Sequence, residues 1–88
     1  MTTDTNDGIM ILQGDLLLSE LSMKKFPDIK TYQKKNVVNL QRLTNIDSAG
    51  IAYLVQIKVI SPNVCFAGVS DKILILADLY GVSFLFKQ

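Results

Sequence analysis

The amino-acid sequence predicts a single α/β domain with a mixed, mostly parallel sheet of about four strands and three to four helices, mainly on one face. Short apolar runs alternate along the chain with helical segments, an order typical of parallel strands joined by crossover helices. The chain has 88 residues, of which 49% are hydrophobic, enough for one small core. We expect residues 1–7 to form a frayed polar tail and residues 8–88 to form the domain.

The first predicted strand covers residues 8–13, an apolar run that we expect to be buried on both faces. Gly14 and Asp15 follow it and are common turn residues, so we expect the strand to end there. Residues 16–25 then predict a short helix, which must end before Pro27 because the residue preceding a proline disfavours helical geometry.

Two more strands are predicted where β-branched and apolar residues concentrate, at residues 37–41 and 64–67. The second contains Cys65, the one cysteine in the chain. We expect its thiol to be packed in the sheet and unreactive. Ser83–Phe86 is a candidate terminal strand.

Two helices are predicted with clear ends. Ser48–Ile60 has no glycine after Gly50 and is apolar around most of its circumference, more than one stripe against a sheet can bury. One side of this helix is therefore expected to meet a partner. The last helix begins after the capping residue Ser70 and ends before Gly81, and its Tyr80 is a weak interface candidate.

Composition argues against catalysis and against nucleic acid as a partner. The chain has no histidine and a single cysteine, so zinc clusters, disulfides and histidine-dependent nucleophilic sites are excluded. Its net charge is +1, with the nine basic residues scattered rather than gathered in a stripe. We expect a protein that is not an enzyme, requires no cofactor and does not bind nucleic acid.

The sequence also predicts a cytoplasmic location. Residues 1–7 lack the basic start and the apolar stretch of a secretory signal. The apolar runs are interrupted well before the roughly 18 residues that a membrane-spanning helix needs. Any association with a membrane is expected to be indirect.

The most informative segment is Asp47-Ser48-Ala49-Gly50, which follows a strand and a polar loop and opens a helix. Aspartate and serine are ordinary N-cap residues, so the turn by itself requires no special function. In its context, however, it resembles the STAS domain, the family named for sulfate transporters and anti-sigma factor antagonists. The resemblance extends from Gly8 to Phe86.

The STAS resemblance implies roles for the turn residues. Ser48 matches the family's regulatory hydroxyl residue, which is a partner contact and often a phosphorylation site. Asp47 matches the acid before it, and Gly50 matches the small residue that lets a partner approach. The residues expected to bind a partner are Thr44, Asn45, Asp47, Ser48, Ala49, Gly50, Ile51 and Leu54.

Residues 66–82 narrow the resemblance to the STAS subunits of the bacterial Mla phospholipid-transport system. Such a subunit binds the cytoplasmic ATPase (MlaF) of an ABC-type complex that also contains a permease and an exported lipid-binding protein. It supports the assembly and activity of that complex, which maintains the lipid asymmetry of the outer membrane. The resemblance implies a cytoplasmic chain that is peripheral to the inner membrane through its complex.

Two alternatives remain open at this point. One is an anti-sigma factor antagonist regulated by phosphorylation of Ser48, although Ala49 replaces the second hydroxyl residue of many sporulation-type antagonists. The other is a small α/β enzyme or ligand carrier, which the missing histidine and the missing glycine-rich phosphate loop disfavour.

Overall fold

The structure, a computed structural model, describes residues 2–4 and 8–86. Three parallel strands form an α/β domain: β2 (Ile9–Leu16), β3 (Val37–Ile46) and β4 (Cys65–Ala67). A short strand, β1 (Thr2–Asp4), pairs with β2 in the antiparallel direction, so that the strand order is β1-β2-β3-β4. The predicted α/β class with a parallel sheet is confirmed.

Strand β1 lies within the segment for which composition predicts a frayed tail. Its three residues pair with β2 between Met10 and Leu12. The polar composition of these residues does not predict a strand, because the strand forms by pairing with the open edge of β2, which lies elsewhere in the chain. The other residues of the predicted tail, 1 and 5–7, lie outside the described residues.

Strand β2 does not end at Gly14 and Asp15 as predicted. It continues through them to Leu16, and its register against β3 shifts twice, between Ile11 and Gln13 and between Gly14 and Asp15. Gly14 has a φ of 88°, which glycine adopts without steric cost. The glycine that was expected to form a turn therefore forms an irregularity inside a longer strand.

The helical elements follow the strands in the order that crossovers require. They are α1 (Leu18–Ser22), a 3₁₀-helix at Ile29–Lys34, α2 (Ser48–Ile60), α3 (Asp71–Leu79) and a second 3₁₀-helix at Ser83–Phe86. Helix α2 has the predicted bounds, and α3 is capped by Ser70, whose hydroxyl oxygen accepts from the Ile73 N–H.

Two predictions about these elements were wrong. The first helix is half as long as predicted, because β2 continues to Leu16 and the chain turns at Lys24, where φ is 56°. Ser83–Phe86 is a 3₁₀-helix rather than a strand. It is held there by Leu85, which is buried in the core, and by the Phe86 ring, which packs edge-on against Phe66 with centroids 5.7 Å apart.

The helices cover one face of the sheet. Side chains alternate in burial along the strands, so that Leu12, Val38 and Phe66 lie in one hydrophobic cluster with Leu54 of α2 and Ile73 of α3. The residues on the opposite face remain partly accessible to solvent; they are Ile9, Ile11, Val37, Asn39 and Ala67. The first strand is thus buried on one face, not on both as predicted.

The prediction that Cys65 is buried was also wrong, since its side chain is exposed. It lies on edge strand β4 next to buried Phe66, and successive residues of a strand point to opposite faces.

Among the helices that the structure describes, none combines the length and the apolar character that a membrane span requires.

Candidate functional site

The turn from β3 into α2 is organised by the side chain of Asp47. One carboxylate oxygen accepts the Gly50 N–H at 2.9 Å and thereby caps α2. The other accepts the Leu18 N–H at 3.0 Å, at the start of α1. A single carboxylate thus fixes the amino ends of two helices relative to each other.

These hydrogen bonds also determine the ionisation of Asp47. Desolvation by itself would raise the pKa of this carboxyl group. The backbone N–H groups of Leu18, Gly50 and Ala49 stabilise the charged form and outweigh desolvation, so the pKa of Asp47 lies below its ordinary value. Asp47 is therefore a negatively charged structural cap at neutral pH.

Ser48 is the exposed member of the turn. Among the described residues its hydroxyl has no hydrogen-bond partner, so both its donor and its acceptor positions are available to another molecule. Ala49 is half-buried and lies beside a surface groove. Of the predicted turn, these two residues present side chains that a partner can touch.

Gly50, Ile51 and Leu54, all predicted to bind a partner, lie in the core instead. Ile51 is 3% exposed and Leu54 is fully buried. A Cβ at Gly50 would collide with the Leu16 carbonyl oxygen and lie 2.6 Å from Cγ1 of Ile46. The small residue at position 50 therefore lets α2 approach β2 and β3, and does not make room for a partner.

Thr44 and Asn45 belong to the end of β3, which runs five residues beyond its predicted limit. Both are exposed. The Asn45 amide donates to an Asp15 carboxylate oxygen at 2.9 Å, and its oxygen lies 3.4 Å from the Lys72 ammonium. Asn45 thus links the ends of two strands to the first turn of α3 and contributes a polar rim beside the turn.

An apolar groove adjoins the turn on the side of α1. It has a volume of about 650 Å³ and separates α1 and the following loop from α2. Its lining is Leu18, Leu21, Lys24, Phe26, Pro27, Asp28, Ile29, Ala49, Ala52, Tyr53 and Gln56. Leu18, at one end, is 61% exposed even though it is a large apolar side chain.

Sequence reasoning missed most of this groove, because its two sides are separated by about 25 residues. One local signal was present. Ala49, Ala52 and Gln56 are spaced i, i+3 and i+7 along α2, and they are among the few small or polar positions of a mostly apolar helix. Such a stripe marks the side of α2 that faces the groove.

Tyr53, which lines the groove, is hydrogen-bonded to a second tyrosine buried behind it. Tyr53 donates its hydroxyl proton to the Pro27 carbonyl oxygen at 2.6 Å. Its oxygen lies 2.8 Å from the hydroxyl of fully buried Tyr32. Since Tyr53 has already donated its only hydroxyl proton, Tyr32 is the donor in that second bond.

Burial raises the pKa of both tyrosines. Desolvation is the largest cause in each case, and the Tyr53 pKa reaches about 12. The pKa of Tyr32 is raised further, because the neighbouring Tyr53 also disfavours its charged form. Both hydroxyls keep their protons throughout the neutral range, so the hydrogen bonds persist there.

The site offers an apolar concave surface beside an exposed hydroxyl group. The described residues include no group of three His, Cys, Asp or Glu side chains placed to hold a metal ion. Tyr80, the weak interface candidate, is 50% exposed at the end of α3.

Comparison with known proteins found no match: no protein-family model and no curated protein matches this chain.

Proposed function

We propose that this chain is a STAS-like, non-enzymatic subunit, similar to MlaB, that binds the ATPase subunit of an ABC-type phospholipid transporter. It supports assembly and activity of the complex and thereby maintains outer-membrane lipid asymmetry. The chain is cytoplasmic and lies at the inner membrane only through the complex, which includes a permease and an exported lipid-binding subunit. The resemblance of the Asp47–Gly50 turn and of residues 66–82 to this family supports the proposal.

The observation that carries the proposal is the juxtaposition of exposed Ser48 with the apolar groove. A protein interface needs an apolar centre and a rim of polar groups. The groove provides the first, and the exposed Ser48 hydroxyl, next in the chain to the groove residue Ala49, provides the second. We define this combination, the Ser48 rim together with the groove, as the docking surface.

The expected occupant of the groove is a helix of the ATPase subunit. The groove lies between helical elements, away from the edges of the sheet, so it offers no free strand for β-strand addition. Ala49 and Ala52 have short side chains, which permit close approach of a second helix axis. The partner helix would present apolar residues at i, i+3 or i+4, and i+7.

A substitution at Ser48 tests this function. Ser48→Glu should retain the fold, because an acidic residue in the first turn of a helix is favourable, and should weaken ATPase binding by at least about tenfold. Asn63→Glu, exposed beyond the opposite end of α2, is the matched control and should bind normally. Equal affinities for the wild type and Ser48→Glu would exclude the docking surface.

A second candidate function is supported by the exposure of Ser48. An accessible serine at a helix N-terminus is a suitable kinase substrate, as in an anti-sigma factor antagonist. Against this, the added charge of a phosphate on Ser48 would oppose a close, dehydrated contact at the docking surface. We expect intact-mass measurement of protein isolated from cells to show no phosphorylated species. We also expect the neighbouring genes to encode a permease and an exported lipid-binding protein, as the transporter function requires.

A further inference from the structure

Residues 26–28 form the wall of the groove that faces α2, and we call them the wall segment. On one side the chain leaves α1 through Lys24, a non-glycine residue with a φ of 56°. On the other side Asp28 caps the 3₁₀-helix, where its carboxylate and its carbonyl accept the N–H groups of Lys30 and Thr31. The wall segment therefore lies between a sharp turn and a short helix.

One hydrogen bond joins the wall segment to α2 within the described part of the chain. This is the 2.6 Å bond from the Tyr53 hydroxyl to the Pro27 carbonyl oxygen. The remaining attachment is apolar packing: the Phe26 ring is buried in the hydrophobic cluster and packs on the Tyr53 ring, with centroids 6.0 Å apart and planes inclined by 57°. The one polar attachment of the wall segment to α2 in this part of the chain is therefore the Tyr53 hydroxyl.

The element behind Tyr53 is fixed independently of the wall segment. Tyr32 is fully buried, and its backbone carbonyl accepts the hydroxyl of buried Ser61 at 2.9 Å, beyond the end of α2. The Tyr32 ring also packs edge-on against Tyr53 with centroids 5.9 Å apart. Tyr53 thus lies between a buried tyrosine that supports it on one side and the wall segment that it holds by a hydrogen bond on the other.

We infer that Tyr53 is a positioning residue of the docking surface: its hydroxyl holds the wall segment at a fixed distance from α2 and so sets the width of the groove that receives the partner. The inference rests on the proposed function, since it concerns the same groove. It adds a determinant of affinity that does not lie on the exposed turn and that no motif in the sequence indicates.

Three variants separate positioning from stability. Tyr53→Phe keeps the ring but removes the bond to Pro27, and it leaves the buried Tyr32 hydroxyl without its acceptor. Tyr32→Phe removes a hydroxyl of the same pair but leaves the Tyr53 to Pro27 bond intact. In the double variant no hydroxyl is left unpaired, so its fold should be more stable than that of Tyr53→Phe although its wall segment is equally free.

The first measurement uses the isolated chain in solution. We expect NMR contacts between the Phe26 and Tyr53 rings to weaken, and exchange of the Thr31 amide to accelerate, in Tyr53→Phe and in the double variant but not in Tyr32→Phe. Unchanged ring contacts in Tyr53→Phe would overturn the inference. So would a Tyr32→Phe variant that loosens the wall segment as much as Tyr53→Phe does.

The second measurement is affinity for the purified ATPase subunit. Binding should weaken about tenfold in Tyr53→Phe and in the double variant, and by less than about twofold in Tyr32→Phe. Affinity that follows stability instead, so that the double variant binds better than Tyr53→Phe, would overturn the inference. If the wild type itself does not bind the ATPase, the proposed function fails, while the NMR measurement still decides the role of Tyr53.

Discussion

At the scale of single residues, the four positions of the Asp47–Gly50 turn divide between folding and surface. Asp47 caps α2 and ties it to α1. Gly50 allows α2 to pack closely on the sheet. Ser48 and Ala49 are left to face the solvent and the groove. The resemblance to a family motif implies that all four contact a partner, whereas only Ser48 and Ala49 have side chains accessible to one.

Gly50→Ala should destabilise the fold, although alanine favours a helix more than glycine does. The added methyl group has no space beside the Leu16 backbone and the Ile46 side chain. Such overpacking costs about 1–3 kcal/mol, measurable as a lower free energy of unfolding in urea. Ala52→Gly, at an exposed position of the same helix, calibrates the helix propensity and should cost about 0.5–1 kcal/mol. A Gly50→Ala variant as stable as the wild type would show that the close approach is unimportant.

Asp47 should make stability depend on acid pH. Its pKa is lowered in the fold from an ordinary value of 3.8, so its contribution is present above that value and is lost as pH falls through the folded pKa. Asp47→Asn should cost about 0.3–1 kcal/mol at neutral pH, because it removes the negative charge from the helix N-terminus, and progressively less in acid. Urea unfolding at several pH values measures this difference, and a difference independent of pH would contradict the role of the charge.

At the scale of elements, α2 explains why an almost entirely apolar helix can stand at the surface. Gly50, Ile51, Leu54 and Ile57 form its buried stripe against the sheet. Tyr53 and Val55 pack partly against neighbouring elements. Its exposed positions are Ser48, Ala52, Gln56 and Val59. The excess of apolar residues that suggested a partner is therefore mostly buried in the fold; of the exposed apolar positions, Ala52 lines the groove and Val59 lies outside it.

Ala52→Glu should block the groove without unfolding the chain. Glutamate is a good helix former and position 52 is exposed, so stability should change by less than about 0.5 kcal/mol. Binding to the ATPase subunit should be lost, because a charge would lie among the apolar lining residues. Val59→Glu is the matched control, since Val59 is 66% exposed on the same helix but outside the groove. Equal binding by both variants would remove the groove from the docking surface.

Some of these structural features could be predicted from the sequence and others could not. The bounds of α2 and the cap of α3 were predictable because their signals are local: Asp47 and Ser70 stand at the N-cap positions. The groove was not, because it depends on where the loop after α1 packs. The terminal residues 83–86 show the same limit, since an apolar run fits a strand or a turn of helix and tertiary packing decides between them.

At the scale of the whole molecule, helices cover one face of the sheet and the tyrosine pair joins two of the helical elements. Tyr32 belongs to the 3₁₀-helix Ile29–Lys34 and Tyr53 to α2. Their hydroxyls connect segments that are 21 residues apart in the chain. The hydrogen bond between these two elements therefore depends on both hydroxyls remaining protonated.

Alkaline pH should unfold the chain by ionising these tyrosines. Their pKa values are raised in the fold, to about 12 for Tyr53, whereas an unfolded tyrosine titrates near 10. The stabilisation is complete below about pH 10 and is lost as pH rises through the folded values. Circular dichroism against pH should show the loss, and it should be smaller for the variant with phenylalanine at both positions. Unchanged stability up to about pH 12 would contradict the burial of the pair.

Amide NMR can show whether the Ser48 rim and the groove form the docking surface. The isotope-labelled chain is titrated with the purified ATPase subunit, and the amide signals are recorded. We expect the signals of Ser48, Ala49 and Ala52 to change first, together with that of Phe26 across the groove. The signals of Ile75 and Leu79, which are exposed on α3, should not change. Changes confined to α3 or to the open face of the sheet, or no change at all, would contradict this expectation.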